Sequence, residues 1–376
     1  MNLGILHALS NRPASAFLEF REAATTYELI GNLRGRALVL SNMAWLRHAI
    51  LGEDSAAEED ARSALLAYQQ MEDKRGQAQC LGTLGSIMCR RGACAESADA
   101  FGRALSLARE ARDSWIEAQV LMEWARCCLE TGRFAEGLAR ADEALKRSSQ
   151  LGMGTLAISL HALRGRLLLE LNRSDEALDA TGTAVAERQP SVGTRQSVAY
   201  AHSLALAATG HQKQAEQYLG IAFQDLMTAV SDLPEGEQRA ALTSVPDHRA
   251  IVQAWSSRQP KHESHILARV EAPMGRPLPP DERIAVVWTV DSPDDVEIQS
   301  TIHRRRHRLL RLLAEARNQG GSPTVPELAQ ALHTSVATIR RDLAILRRSG
   351  LEARTRGSRF PTLLRTARPG QETPEP

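Results

Sequence analysis

Five alanines stand one fixed interval apart along this chain of 376 residues: Ala24, Ala64, Ala104, Ala144 and Ala184. Leu65, Leu105, Leu145 and Val185 follow the last four, and Gly52, Gly92, Gly132 and Asn172 keep the same spacing. A strict period of about 40 residues is the signature of stacked supersecondary units, each unable to bury its apolar face alone. Around each glycine or asparagine the same text recurs: a helix such as RGQAQCLGTLGSIMCRRG, a turn, then a partner such as AESADAFGRALSLAREARD. Gly and Asn suit the left-handed residue that ends one helix before the next begins. Small residues fall where paired helices must approach closely, with Gly85, Ala125 and Gly165 one period apart on the first helix and Ala104 and Ala144 on the second. An α-solenoid over about residues 15–233 is expected, with five helix pairs and a half repeat at the start.

This pattern resembles tetratricopeptide repeats in the longer form of large bacterial regulators of the maltose-regulator type. The consensus is loose: Trp45 and Tyr68 echo its aromatic positions, while alanine and leucine fill the rest. The resemblance implies a superhelix whose concave surface takes a peptide or protein; a purely structural spacer is the plainer alternative. The array opens on a second helix, SAFLEFREAATTYELIG, without its first partner. Either the preceding segment caps it, or the chain derives from a larger regulator, in which an upstream nucleotide-binding module is common. The chain carries no GxxxxGK[ST] phosphate loop.

Composition agrees with a folded helical protein: 43% apolar, 24% charged, few aromatics. The five cysteines (Cys80, Cys89, Cys94, Cys127, Cys128) show neither CxxC pairing nor finger-spaced histidines, and are expected as reduced core thiols of a cytoplasmic protein. The N-terminal text lacks a basic region followed by an apolar stretch, and no window approaches a membrane span. The net charge of +1 conceals a division. From Thr301 onward there are 15 arginines, no lysine and 6 acids, or +9, which leaves 31 basic and 39 acidic residues, or −8, in residues 1–300. Such asymmetry points to an acidic body with a nucleic-acid-facing end.

Between the two lies a bridge, residues 234–300. LPEGEQRAALTSVPDHRAIVQAW is expected to cap the array. SHILARVEA and ERIAVVWTV alternate in strand fashion around the turn text PMGRPLPPD, so a β-hairpin with Ile284, Val286, Trp288 and Val290 on one face is expected. DSPDDVEIQ is expected as an exposed acidic linker. Its Asp291, Asp294, Asp295 and Glu297 lack the His, Cys or calcium-loop glycine of a metal site.

Three helices can be read in the basic end. The first, about 303–318, carries Leu309, Leu310, Leu312 and Leu313. The second opens on Thr324, Pro326 and Glu327, a capping-box arrangement. After the turn His333-Thr334-Ser335, with Ser335 as N-cap, a third helix begins. On a helical wheel Val336, Ile339, Leu343 and Leu346 share the inward face, while Ala337, Thr338, Arg341 and Arg348 point outward and Arg340 and Arg347 flank. Short residues near the N-terminus let the backbone approach bases. Arg341 can then reach guanine edges, and Arg340, Arg347 and Arg348 suit phosphates. A solvated helix would more often mix Glu and Lys; only Asp342 is acidic here. After Gly350 the text suggests strand, basic turn and strand, with Arg354, Arg356 and Arg359 on the wing.

The unit resembles a DeoR-type winged helix through Glu327-Leu328-Ala329, Ser335, Ala337-Thr338-Ile339-Arg340-Arg341-Asp342-Leu343 and Gly350-Leu351. The resemblance spans about 60 residues and implies that helix 335–348 enters the major groove. DeoR-type proteins usually carry this unit first, followed by a sugar-phosphate sensor; here it comes last and nothing resembles the sensor. The usual Gly-Val of the turn is His333-Thr334. Histidine tolerates positive φ better than most residues.

The expected fold is mainly α: a tetratricopeptide-like α-solenoid (1–233), the bridge, a winged helix-turn-helix domain (301–366) and a disordered tail (367–376). The expected function is a DNA-binding transcriptional regulator whose array receives a protein or peptide signal, without cofactor, metal, membrane contact or catalytic residues. Nothing shows a Cys/His nucleophile arrangement or metal spacing, and His161, His202 and His211 in the repeats are expected as surface or groove residues. A single wing binds weakly, so a homodimer with half-sites about one helical turn apart is expected. The alternative is a repeat-based adaptor whose winged helix docks protein.

Overall fold

The computed structural model describes residues 12–150, 154–186 and 195–357. The chain divides into two units, Met1–Trp255 and Ser256–Pro376.

In the first unit the 40-residue period becomes pairs of antiparallel helices. In chain order these are α1 (Pro13–Leu29), α2 (Leu33–Leu46, continued by a π-helical turn, Arg47–Leu51), α3 (Asp54–Gln70), α4 (Lys74–Arg90), α5 (Cys94–Glu110), α6 (Ser114–Glu130), α7 (Phe134–Gln150), α8 (Gly154–Glu170), α9 (Ser174–Ala186), α10 (Arg195–Ala208) and α11 (Gln212–Val230). The turn residues do what their type suggests: Gly52, Gly92, Gly132 and Asn172 have φ of 72°, 81°, 75° and 59°. Glu72 and Arg112, also one period apart, take φ of 55° and 54° between pairs. Asn32, Asp73 and Asp113 cap α2, α4 and α6 by accepting the amide N–H of Gly35, Gly76 and Ile116. The small residues sit at the tightest approaches. A Cβ on Gly85 would stand 3.1 Å from the Phe101 ring, and one on Gly165 only 2.3 Å from Thr181 Cγ2. Ala104, Ala125 and Ala144 are fully buried.

Two features of this unit depart from the sequence reading. Cys89 and Cys127, expected as reduced thiols, are joined as a disulfide across Cα atoms 5.9 Å apart. They stand near the ends of α4 and α6, the first helices of neighbouring pairs, which the repeat brings side by side. Cys80, Cys94 and Cys128 are free. The array also meets itself. Phe20 of α1 and Val39, Met43 and Leu46 of α2 share one core with Tyr200 of α10, Leu219 and Leu226 of α11, and Ala241 and Ile251 beyond it. Two short helices make this possible: α12 (Glu235–Ser244) and α13 (Pro246–Ser256). First helices of neighbouring pairs pack on one another while second helices do so far less, which places the first helices on the inner side. α12 and α13 lie against that inner side. A Cβ on Gly52 would meet Ser244 at 2.7 Å, and Gln196 of α10 lies 3.4 Å from His248 of α13.

In the second unit β1 (Lys261–Arg269) and β2 (Arg283–Asp291) form the expected antiparallel hairpin, with Val286, Trp288 and Val290 buried. The hairpin is no bridge, however: it is part of the core built by α14 (Thr301–Asn318), α15 (Val325–Ala331) and α16 (Val336–Arg348). A two-residue strand, β3 (Gly321–Ser322), pairs with Ala268 and Arg269, giving the antiparallel order β2-β1-β3. A Cβ on Gly321 would meet Val286 Cγ2 at 2.7 Å, so glycine lets β3 approach the side chains of the sheet closely. Trp288, fully buried among Leu309, Leu312 and Leu313, is the reason the hairpin belongs here. The outer edge of β2 is closed by α14: Gln319 both accepts from Val287 N–H and donates to its carbonyl, and Glu315 accepts from Thr289 N–H. Among the described residues no helix is long and apolar enough to cross a membrane.

Candidate nucleic-acid interface

The interface is framed by two caps and a turn. Thr324 and Glu327 form the capping box that starts α15, the Glu327 carboxylate accepting the Thr324 N–H at 2.6 Å and the Thr324 hydroxyl accepting the Glu327 N–H. His333 takes φ of 47°, as its place in the turn asks, and the next N–H, of Thr334, returns to the Ala329 carbonyl at 2.9 Å. Ser335 then caps α16, its Oγ accepting the Thr338 N–H at 3.1 Å and lying 2.8 Å from the Thr338 hydroxyl. Helix, four-residue turn and helix are held together by short-range bonds.

Ile339, Leu343 and Leu346 anchor α16 in the core, and Ala337, Arg340, Arg341 and Arg348 are exposed, as the wheel divides them. Thr338 is half-buried. The remaining charge is placed less as its density suggests. Asp342 does not face the arginines of its own helix. It is 1% exposed and takes Arg305 Nε at 2.7 Å and Arg306 Nε at 2.9 Å from α14. Burial by itself would raise this carboxyl; the hydrogen bonds and charges of the two guanidinium groups outweigh it and hold the carboxyl below its ordinary range.

Asp295 repeats the arrangement nearby. The segment expected as an exposed linker is a 3-10 turn, Pro293–Glu297, in which Asp295 is fully buried. Arg308 Nε reaches its carboxylate at 2.8 Å, Arg311 grips both oxygens at 2.9 and 2.7 Å, and His307 lies at 3.2 Å. Burial pushes this carboxyl up, but these donors and the Ser292 N–H bring it well below the carboxylate range. Arg304 donates to the Ile298 carbonyl. The HRRRHRLLR text, read as general basic character, is therefore mostly internal bonding.

Beyond α16 the chain turns at Gly350 and runs beside β3 without forming a strand through residue 357. Ala353 is buried, and the Arg356 N–H donates to the Pro323 carbonyl at 2.7 Å. Arg347 donates from Nε to the Ala353 carbonyl at 2.8 Å, tying this stretch to the end of α16. Arg356 spends its guanidinium on the carbonyls of Ala272 and Pro273 in the hairpin turn. Arg354 is exposed beside Glu352. The rest of the expected wing, with Arg359, lies outside the described residues. Arg340, Arg341 and Arg348 stand apart, since no ion pair among the described residues involves them. Sequence reading missed the roles of Asp295 and Asp342. For Asp342 a signal existed: on the wheel it lies about 60° from Ile339 and about 40° from Leu346, an acid on the rim of the apolar face.

Fold and site together define a helical repeat array followed in the chain by a helix-turn-helix domain. Residues 305–359 match the DeoR-like helix-turn-helix domain, so this stretch of the C-terminal unit is a DeoR-like domain, of a DNA-binding regulator type. No curated protein matches the chain. Among solved structures, the chain is similar to a Rap protein complexed with competence and sporulation factor, with 14% identity and a TM-score of 0.51, covering 68% of this chain and 74% of that one. It is also similar to aspartyl phosphate phosphatase F from Bacillus subtilis (14% identity, TM-score 0.48, 66% and 68% covered) and to BtubC from P. vanneervenii (20% identity, TM-score 0.43, 60% and 93% covered). At such identities the likeness to the Rap protein shows the helical-repeat fold alone.

Proposed function

We propose that this protein is a cytoplasmic, non-enzymatic transcriptional regulator that reads operator DNA through α16 and receives a protein or peptide signal on its repeat array. The observation that supports it best is the division of arginines in the DeoR-like unit. Arg304, Arg305, Arg306, Arg308 and Arg311 of α14 are consumed by Asp295, Asp342 and backbone carbonyls and Arg317 pairs with Glu352, whereas Arg340, Arg341 and Arg348 are exposed with no acidic partner among the described residues. Ala337 and Thr338 leave that face low at its N-terminal end, where the backbone can approach base edges. In this reading Arg341 addresses a guanine, and Ser335, Arg340, Arg347, Arg348 and Arg354 border the phosphates, with Arg347 and Arg356 also holding the segment after α16 in place. Arg359 would extend this border. A homodimer supplies the second half-site. The Rap protein with a similar fold was solved with competence and sporulation factor bound, which favours a receiving role for the array here.

Selection of bound sequences from random DNA with the full chain tests the reading. A recovered motif whose affinity falls about a thousandfold or more between 50 and 200 mM salt is expected. Retention without sequence preference or salt dependence would instead favour an adaptor whose winged helix docks protein.

A further inference from the structure

Arg126 of α6 and Arg166 of α8 occupy the same position in successive repeats, on the inner side of the array. Both line a cavity with Ser159, Ser197 and Asp247. Asp247, in the first turn of α13, pairs with Arg166 and accepts the Ser197 hydroxyl at 3.0 Å. Among the described residues Arg126 pairs with Glu123, at 3.5 Å, and its Nε has no hydrogen-bond acceptor. One guanidinium group, that of Arg166, thus holds a carboxylate from a segment outside the repeat pattern, and a second, that of Arg126, lines the same cavity. The remaining space is about 20 Å³, room for about one water molecule.

We propose that Arg126 and Arg166 form a carboxylate-binding site on the inner face of the array, with Asp247 of α13 as its resident occupant, and that a carboxylate-bearing ligand enters by replacing Asp247. This deepens, and rests on, the reading of the array as the receiving part. The cavity is too small for a ligand while α13 is seated, so binding and release of α13 are one event. The site's preference follows from its occupant: burial alone would raise the Asp247 carboxyl, yet Arg166, Arg126 and Ser197 bring it down to about 2. The pocket therefore holds the charged form at any physiological pH. Around it stand Arg90 of α4, Glu123 and Glu130 of α6, Tyr200 of α10 and His248 of α13. Glu130 is pushed up and His248 down, burial being the main cause for each. Only four residues, 257–260, separate the end of α13 from β1, so release of α13 frees the peptide that leads directly into the DeoR-like unit.

Two measurements on the full chain test this. Asp247→Ala should empty the carboxylate position, so that formate raises its melting temperature by about 2–4 °C over chloride at equal ionic strength. Wild type should not respond, and adding Arg166→Gln or Arg126→Gln should abolish the response. Should Asp247→Ala not fold, Asp247→Asn in the intact site should lose the same tie and show faster amide exchange over 246–256 than wild type. Second, an isotopically labelled peptide of residues 243–256, at about 1 mM to match a tethered segment, should speed amide exchange of the chain's own 246–256, while the Asp247→Asn peptide should not. Equal responses to formate and chloride, a formate response that survives loss of both arginines, or Asp and Asn peptides acting alike would overturn the proposal. If these fail while Arg341→Ala still alters DNA selection, only this site falls; if formate acts and no DNA motif is recovered, only the regulator reading falls.

Discussion

Helices α14, with six arginines in 18 residues, and α16, with four in 13, use them in opposite ways. In α14 the guanidinium groups of Arg305, Arg306, Arg308 and Arg311 converge on two buried carboxylates, and Arg304 on a carbonyl. In α16 Arg340, Arg341 and Arg348 make no ion pair among the described residues, while Arg347 closes the chain that follows. Arginine density is thus a poor guide to a nucleic-acid face. The count that matters is of arginines left over once buried acids and carbonyls have taken their share.

The largest break in this contrast should come from Asp342→Ala. It strands Arg305 and Arg306 beside an apolar core and should cost the C-terminal unit about 3 kcal/mol, because an unpaired charge remains where a pair was buried. Urea unfolding followed by amide exchange in α14 and α16 would measure it, and an unchanged midpoint would mean the pairs are incidental. Arg341→Ala should leave folding intact and cost about 1–3 kcal/mol at one base pair of the selected site, flattening preference there alone. Arg348→Ala should weaken all sequences alike and lower the salt slope by about 1, measurable by titration at several salt concentrations. Arg356→Ala should cost stability, by about 1 kcal/mol for lost bonds to the hairpin turn, with little change in DNA affinity. A drop in affinity as large as that of Arg348→Ala would return Arg356 to the interface.

The smallest and most specific effect is in pH. Asp295 and Asp342 have carboxyls held below their unfolded values, near 3.9. Their contribution is therefore fully present above about pH 5 and lost as pH falls toward and through the lowered folded values. The stability difference between wild type and Asp342→Asn should be flat from about pH 5 to 8 and shrink below about pH 4. A difference that instead grows on acidification would place the ionised Asp342 on the wrong side of the balance.

Much of the molecule was legible because its signals are local. The left-handed turns at Gly52, Gly92, Gly132 and Asn172, the Thr324–Glu327 box and the Ser335 cap depend on residues within a few positions of each other, and the period of Ala24 through Ala184 repeats such local units. The division of α16 into Ile339, Leu343 and Leu346 inside and Arg340, Arg341 and Arg348 outside needs only the helical repeat of 3.6 residues. The hairpin's strands and their buried face were likewise visible from alternation.

What tertiary structure alone decided are the long-range partnerships. Alternation tells that Trp288 faces a core, not whose core; that answer came from Leu309, Leu312 and Leu313 across the chain. A period tells that helices stack, not that the last ones return to the first, which depends on how α12 and α13 fill the inner side. Cysteine spacing without a CxxC gave no hint of the Cys89–Cys127 bond, since the repeat itself supplies the proximity. Charge shows the same limit most plainly. The sequence by itself determined how many arginines the C-terminal unit has and on which side of α16 they stand, because helix geometry is local. Which of them remain available was decided by Asp295 and Asp342, because a buried carboxylate must find its cations wherever the fold brings them.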